Sequence, residues 1–213
     1  MSTVLHGAAY SVYVRIARLA LEEKGVPYAL HEVDIFAEGG PPPEHLARHP
    51  FGKIPAFEHD GFALYETTAI CRYVDEAFEG PSLQPRGAQE RARMAQIIAL
   101  LDSYGYRGMV WGVFVELAGD AAREGRTDRA RVEAGLARSE AVLGEMERLG
   151  EGPFLAGATL SLADLHAAPM LAYIMVTQEG RTLVARYPRM AAWVEAMRTR
   201  PSVVATRPDE AAW

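Results

Sequence analysis

The stretch "PFGKIPAFEHDG", residues 50–61, decides the fold of this chain of 213 residues. After Ile54 the sequence is typical of a short strand that ends at Asp60-Gly61, a dipeptide common in β-hairpin turns. The residues that follow, "FALYE", predict the second strand of the hairpin. Pro55 lies inside the first strand, although proline donates no ladder hydrogen bond and is usually confined to strand edges, strand starts or bulges. Its position therefore indicates a specific role.

Short strand-like and helix-like segments alternate on both sides of this hairpin. The segments "TVLHG" and "PYALHEVD" predict strands, and "SVYVRIARLALEEKG" between them predicts a helix that ends at Gly25. A short helix opened by proline is expected in "PPPEHLARHP", and a further helix in "ETTAICRYVDEAF". The predicted order is βαβαββα: a parallel βαβ unit, an antiparallel hairpin and a closing helix.

The composition changes near residue 80, where "EGPSLQPRG" predicts a linker because it is rich in glycine and proline. The pattern after this segment is helical. We expect helices at about Ala88–Leu117, about Asp128–Leu149, from Ser161 onward and at about Pro188–Arg200. The sequence thus predicts an α/β domain at residues 1–79, a linker at about 80–86 and an all-α domain at 87–213.

A capping box is expected in "TLSLADLHAAPML", where Ser161 is followed three residues later by Asp164. Such a device fixes how a helix enters a core and carries no chemistry. The final segment, "TRPDEAAW", is expected to be ordered only if another part of the chain holds it.

Bulk properties exclude several classes of function. The chain is 49% hydrophobic and 23% charged, as is ordinary for a soluble globular protein. No segment has the roughly 18 apolar residues that a membrane span needs, and the N-terminus has no signal-peptide pattern. The net charge of −6 argues against nucleic acid as a partner. Cys71 is the only cysteine, so no internal disulfide forms, and we expect a cytoplasmic protein.

Together, the βαβαββα order, "PFGKIPAF", "ETTAICRYV" and "LSLADLHAAPML" resemble the cytosolic glutathione transferases. The pair "PFGKIPAF" and "LYETTAICRYVDE" is most similar to the phi class and related bacterial proteins, and the resemblance runs from about Thr3 to about Thr206. It implies a thioredoxin-like domain followed by a helical domain, usually in a homodimer. It also implies an enzyme that uses glutathione as co-substrate, needs no metal and conjugates the thiol to a hydrophobic electrophile.

The resemblance implies a role for Pro55. In this family the matching proline follows a cis peptide bond, here Ile54–Pro55, which turns the N–H and C=O of Ile54 outward. Those groups pair in a strand-like manner with the cysteinyl backbone of glutathione, which is β-augmentation on the scale of a tripeptide. The alternative is a trans proline that ends a surface turn.

The resemblance also implies a hydroxyl that donates to the sulfur of glutathione at the start of the first helix, where "AAYSVYVR" has Ser11. A thiol with a pKa near 8.5 is only about 3% ionised at pH 7, so the site has to lower that pKa. An alternative is that Ser11 only caps the helix. Tyr10 is the main rival donor, and Tyr13 is a weaker one. No cysteine lies near Ser11, which argues against glutaredoxin-like branches, and Cys71 is expected to be a buried packing residue.

Glu66 and Thr67 open the helix after the hairpin. The resemblance implies that the Glu66 carboxylate binds the ammonium of the γ-glutamyl group, while the Thr67 hydroxyl and the helix N-terminus bind its carboxylate. Lys53 is implied near the glycyl carboxylate of glutathione. The alternatives are an ordinary helix start for the pair and a solvated surface side chain for Lys53.

The sequence departs from the phi pattern at Gly40 and Pro41, where phi members carry a His-Lys pair aimed at the glycyl carboxylate. Neither residue supplies a side-chain charge. Lys53 is then left to bind that end alone, unless His45 or Arg48 reaches it.

Glycines 105, 108 and 112 fall on one face of the long predicted helix. This clustering indicates either close approach by another backbone or space for a ligand. The resemblance implies an electrophile pocket between the domains, with Tyr106 facing the substrate and with Val110 and Val12 nearby. The alternative is an aromatic-rich interdomain or intersubunit core.

The sequence is also compatible with two other functions. One is glutathione-dependent reduction of peroxides or disulfides at the same site. The other is a non-catalytic binding module, which the departure at Gly40 and Pro41 keeps open.

Overall fold

The structure is a computed structural model that describes residues 2–209 and 211–213. Its N-terminal part is built on a four-stranded sheet. Its strands are β1 (Thr3–His6), β2 (Ala29–His31), β3 (Ala56–His59) and β4 (Phe62–Tyr65), arranged in the order β2-β1-β3-β4. Strand β1 pairs parallel with β2 and antiparallel with β3, and β3 pairs antiparallel with β4. The predicted βαβαββα order and thioredoxin-like fold are confirmed. The helices in this order are α1 (Val12–Glu23), α2 (Pro43–Arg48) and α3 (Thr67–Ala77).

The hairpin between β3 and β4 turns at Asp60 and Gly61, as predicted. Their φ angles are +46° and +86°, and two positive values in a two-residue loop are typical of a type I′ turn. On the neighbouring pair of strands, Leu5 lies opposite Phe57, and both side chains are fully buried. This pair anchors the hairpin in the core of the sheet.

A buried ion pair ties the end of α1 to the end of α3. The Lys24 Nζ donates to the backbone oxygen of Asp75 at 3.0 Å and to that of Pro81 at 3.2 Å, and it lies 3.4 Å from the Asp75 carboxylate. The same carboxylate accepts from the N–H of Leu83 at 2.7 Å. Lys24 is therefore a structural lysine with its amine enclosed by acceptors.

The chain forms two compact units, one that runs to Leu83 and includes Ala205–Pro208, and one of Gln84–Val204 and Asp209–Trp213. Arginines of α1 hold the tail in the first unit: Arg15 Nε donates to Thr206 Oγ1 at 3.4 Å, and Arg18 donates to the Thr206 carbonyl at 3.3 Å. The start of the final segment is thus held by another part of the chain.

The rest of the described chain is helical, which confirms the predicted helical C-terminal domain. The structure adds three short helices, α6 (Asp120–Arg123), α9 (Gln178–Val184) and α11 (Pro201–Ala205), which contain too few turns for a periodic pattern to reveal them. No helix among residues 2–209 and 211–213 has the length and apolarity needed to cross a bilayer. The other elements of this part are α4 (Ala88–Leu100), a π-helix (Leu101–Phe114), α5 (Val115–Leu117), α7 (Arg129–Leu149), α8 (Leu162–Ile174) and α10 (Pro188–Met197).

Two of the three clustered glycines allow close contact between the π-helix and α7. A Cβ on Gly112 would lie 2.7 Å from the Cα of Gly135, and one on Gly108 would lie 2.9 Å from the Oγ of Ser139. Of the two interpretations left open by the sequence, close backbone approach therefore holds at Gly108 and Gly112.

The predicted capping box opens α8 and is fully buried. One oxygen of Asp164 accepts from both the N–H and the hydroxyl of Ser161, each at 2.9 Å. The other accepts from the N–H of Leu155 at 2.9 Å and from the indole of Trp193 at 2.8 Å. Burial raises the pKa of Asp164 above its ordinary value, although these four donors oppose that shift.

Candidate functional site

Ser11 is the N-cap of α1, and its backbone is extended, with φ −67° and ψ 129°. Its Oγ accepts from the N–H of Val14 at 3.4 Å, which uses a lone pair and leaves the hydroxyl hydrogen available for another acceptor. The capping role is therefore compatible with donation to a sulfur anion. The rival donor, Tyr10, is the preceding residue, and its side chain is 39% exposed.

The Ile54–Pro55 peptide bond is cis, as the sequence resemblance implied. Within the part of the chain that the structure describes, neither the N–H nor the C=O of Ile54 takes part in a hydrogen bond. Backbone groups of a buried residue are normally paired, so these two are suited to a partner that the protein itself does not supply.

The start of α1 lies next to both Ile54 and the start of α3. A Cβ on Gly7, whose φ is +154°, would lie 2.4 Å from a methyl group of Val14 and 3.1 Å from the Cβ of Ile54. The Thr67 hydroxyl donates to the carbonyl of Tyr13 at 3.5 Å. Three separate sequence motifs, around residues 11, 54 and 67, therefore converge at one end of the sheet.

Glu66 precedes α3 with a φ of +71°, which is uncommon for a residue with a side chain. Its side chain is exposed and makes no capping hydrogen bond to the helix. Strained backbone of this kind is concentrated at binding and catalytic sites. Thr67, which follows it, is buried with its Oγ1 at the first turn of the helix.

The sequence did not reveal His49, which lies near Glu66. Its ring is 2% exposed and lies 4.9 Å from the ring of Tyr65, centroid to centroid. Burial lowers the pKa of His49, and the negative charge of Glu66 opposes this shift. No local pattern marks this residue, because its position depends on the packing of the loop before β3.

The side chain of Lys53 is exposed, whereas its carbonyl accepts a hydrogen bond from buried His45, with 2.7 Å between Nε2 and O. Arg48 donates from Nε to Glu58 at 2.6 Å and from another nitrogen to the Glu44 carbonyl at 2.9 Å. The hydrogen bond from Arg48 lowers the pKa of Glu58. Both side chains therefore make hydrogen bonds within the chain, and the idea that His45 or Arg48 reaches the glycyl end of glutathione stays a prediction.

Pro41 lies beside Gly52, the residue before Lys53. Together with Gly40 it occupies the two positions at which the phi pattern has basic residues. A Cβ on Gly52 would lie 3.0 Å from the Cγ of Pro41, so the proline packs against the residue that precedes Lys53. The departure thus removes charge from the neighbourhood of Lys53 and leaves an apolar contact there.

The residues predicted for the electrophile pocket are largely buried in the chain. Val12 in α1 is 3% exposed, and Val110 in the π-helix is 7% exposed. Burial raises the pKa of Tyr106, and a hydrogen bond with Trp111 opposes this increase. Among the described residues, no group of three or more His, Cys, Asp or Glu side chains is arranged to hold a metal ion.

Comparison with known proteins assigns this fold to the glutathione transferases. A model of the glutathione S-transferase N-terminal domain matches residues 5–82, and a model of the C-terminal domain matches residues 129–196. The chain belongs to the glutathione S-transferase family, and the predictions of a transferase that uses glutathione as co-substrate are confirmed.

Individual relatives agree with the phi-like assignment. The chain is 32% identical to glutathione S-transferase 1 of Zea mays over 93% of its own length and 92% of the relative's. It is 32% identical to the probable glutathione S-transferase GSTF1 of Oryza sativa subsp. japonica, over 92% of its own length and 91% of the relative's.

Solved structures give the same picture. The maize glutathione S-transferase I in complex with an atrazine glutathione conjugate has a TM-score of 0.84 and 29% identity, over 97% of this chain and 96% of that one. Glutathione transferase F7 from Populus trichocarpa has a TM-score of 0.83 and 28% identity, over 96% and 97% of the two chains.

Proposed function

We propose that the chain conjugates the thiolate of glutathione to a hydrophobic electrophile, with Ser11 stabilising the sulfur anion. The observation that carries this proposal is the Ser11 hydroxyl, which keeps its hydrogen available after accepting from Val14. A hydrogen bond to a charged group contributes about 1.5–3 kcal/mol, which corresponds to lowering the thiol pKa by about one to two units. The positive end of the α1 dipole acts in the same direction.

Glutathione is proposed to lie along the backbone of Ile54, whose N–H and C=O bind its cysteinyl residue. The γ-glutamyl ammonium pairs with Glu66, and the γ-glutamyl carboxylate accepts from the backbone N–H groups at the N-terminus of α3 and from the Thr67 hydroxyl, which turns to it from the Tyr13 carbonyl. Lys53 binds the glycyl carboxylate. The exposure of Glu66 and Lys53, and the backbone strain at Glu66, support this assignment.

The electrophile is proposed to be a hydrophobic, aromatic-type molecule. The maize relative has been solved with a glutathione conjugate of atrazine, which supports this class. Tyr106, together with Val110 of the same helical unit, is proposed to contact it. A phenol with the ordinary pKa of about 10 is protonated at neutral pH, and burial raises the pKa of Tyr106 further, so its hydroxyl carries no charge and has a proton to donate.

The chain is further proposed to act as a homodimer. Side chains of Phe51, Phe62 and Leu46 are 70%, 49% and 43% exposed, and exposed apolar groups of this size support burial against a second copy. Analytical ultracentrifugation should give twice the chain mass of 23.3 kDa, and a species at the single-chain mass would contradict the proposal.

The protein is also proposed to be cytoplasmic and to have domains that span residues 1–79 and 87–213. Cell fractionation tests the first. Limited proteolysis tests the second, with cleavage expected within the linker at 80–86.

The mechanism is tested by replacing Ser11 and Tyr10 separately and measuring conjugation of 1-chloro-2,4-dinitrobenzene. We expect Ser11→Ala to lower kcat/KM by about 10- to 100-fold, the equivalent of one charged hydrogen bond. Tyr10→Phe should change it little. Full activity in Ser11→Ala, with loss in Tyr10→Phe, would move thiol activation to Tyr10.

Two outcomes would replace the proposed function. Retention of the wild type on immobilised glutathione, with neither conjugation nor reduction of peroxides and disulfides, would favour a binding module, which the uncharged Gly40 and Pro41 support. Reduction without conjugation would favour the reductase.

A further inference from the structure

We propose that His45 is a positioning residue that aims the N–H of Ile54 at glutathione by holding the preceding carbonyl. The proposal rests on the proposed function, because it concerns the same backbone groups. His45 itself does not contact glutathione. It acts through the peptide bond between Lys53 and Ile54.

The hydrogen bond itself defines the state of the ring. His45 is 1% exposed, and its Nε2 lies 2.7 Å from the carbonyl oxygen of Lys53. A carbonyl oxygen only accepts hydrogen bonds, so Nε2 has to carry the proton. The other ring nitrogen, Nδ1, is buried and has no hydrogen-bond partner among the described residues. The ring is therefore assigned with a proton on Nε2 that it donates to Lys53.

Peptide geometry carries the effect from Lys53 to Ile54. The Lys53–Ile54 bond is not among the cis bonds of the structure, and in a planar trans peptide the C=O and the following N–H point in opposite directions. Since the carbonyl of Lys53 points at buried His45, the N–H of Ile54 points away from His45. That N–H has no partner within the described chain, so it is left ready for a ligand.

The helix that carries His45 is itself fixed to the sheet. Arg48, in the last turn of α2, donates to Glu58 of β3 at 2.6 Å. His6 of β1 approaches the same carboxylate oxygen at 3.4 Å. The donor at His45 is thus held against two strands, and the orientation of the Ile54 peptide is set before glutathione arrives.

The test compares His45→Leu, which removes the donor, with His45→Gln, which retains an amide donor. Glu44→Gln, an exposed position in the same helix, is the matched control. Isothermal titration calorimetry with glutathione should show Kd raised about tenfold in His45→Leu, less in His45→Gln and unchanged in Glu44→Gln. The KM for glutathione should rise in parallel, while the KM for 1-chloro-2,4-dinitrobenzene stays within about twofold of the wild-type value.

The outcomes separate this inference from the proposed function. Absence of heat when glutathione is added to the wild-type protein would overturn the proposed function. Normal wild-type binding with an unchanged Kd in folded His45→Leu would overturn the role of His45 alone, as would equal rises in both KM values. If His45→Leu does not fold, ¹⁵N NMR of the wild-type ring decides the matter, because a proton on Nδ1 alone is incompatible with the hydrogen bond to Lys53.

Discussion

Helices α3 and α8 both begin beside a carboxylate, but the two carboxylates are held in opposite ways. Asp164 of α8 is fully buried and accepts four hydrogen bonds from Ser161, Leu155 and Trp193. Glu66 of α3 is exposed, makes no capping bond and has a strained φ of +71°. A buried carboxylate with all its partners stabilises the fold, whereas an exposed carboxylate without such partners has the availability that the proposed role of Glu66 in binding glutathione requires.

The contrast is tested most strongly by Asp164→Ala. Four donors would lose their acceptor inside the helical unit, so we expect the free energy of unfolding to fall by roughly 3–5 kcal/mol. Urea denaturation followed by circular dichroism measures this loss. Asp164→Asn, which keeps one acceptor oxygen, should lose less. A loss below about 1 kcal/mol in Asp164→Ala would show that α8 does not depend on this carboxylate.

Glu66→Ala should weaken glutathione binding and leave the stability of the fold almost unchanged. We expect the Kd for glutathione to rise by about 10- to 100-fold, because a charge-assisted interaction of about 1.5–3 kcal/mol with the γ-glutamyl ammonium is removed. The unfolding free energy should stay within about 0.5 kcal/mol of the wild-type value, as for surface substitutions without special contacts. Calorimetry and urea denaturation check the two parts, and a stability loss without a change in Kd would make Glu66 a structural residue.

The start of α8 should also respond to acid through His166, which follows Asp164 by two residues. Burial lowers the pKa of His166 below 6.5, and the negative charge of Asp102 only partly opposes this. Between the folded pKa and 6.5 the unfolded chain binds more protons, so stability falls as the pH is lowered through that window. The slope reaches about 1.4 kcal/mol per pH unit for one such group. Denaturation at several pH values should show a smaller slope in His166→Asn, and an identical slope would exclude this origin.

The smallest effect isolates the backbone strain at Glu66. Glu66→Gly and Glu66→Ala both lack the carboxylate, but only glycine adopts a positive φ without steric cost. We expect the glycine variant to be about 1 kcal/mol more stable than the alanine variant, since strain of this kind costs about 1–3 kcal/mol and glycine gains entropy when unfolded. Equal denaturation midpoints in the two variants would mean that no strain is stored there.

Much of the fold follows from short-range patterns in the sequence. The dipeptide Asp60-Gly61 specifies its turn because both residues tolerate positive φ, and the spacing of Ser161 and Asp164 specifies a cap. The spacing of Gly108 and Gly112 predicted a close approach or a ligand space, but only the position of Gly135 on α7 distinguishes the two.

The site was less predictable, because its decisive contacts join residues that are distant in sequence or conformations that are rare for their residue type. Glutamate seldom adopts positive φ, so nothing in the sequence around Glu66 reveals its strain. The hydrogen bond from His45 to Lys53 depends on how α2 packs on the sheet, which no periodic pattern encodes.

The enclosed amine of Lys24 has a practical consequence. The sequence contains one other lysine, Lys53, and its side chain is exposed. An amine-directed fluorophore should therefore modify a single lysine side chain in the folded protein. That label would stand at the entrance proposed for the tripeptide, and because the reaction removes the Lys53 charge, the labelled protein should bind glutathione more weakly than the unlabelled one.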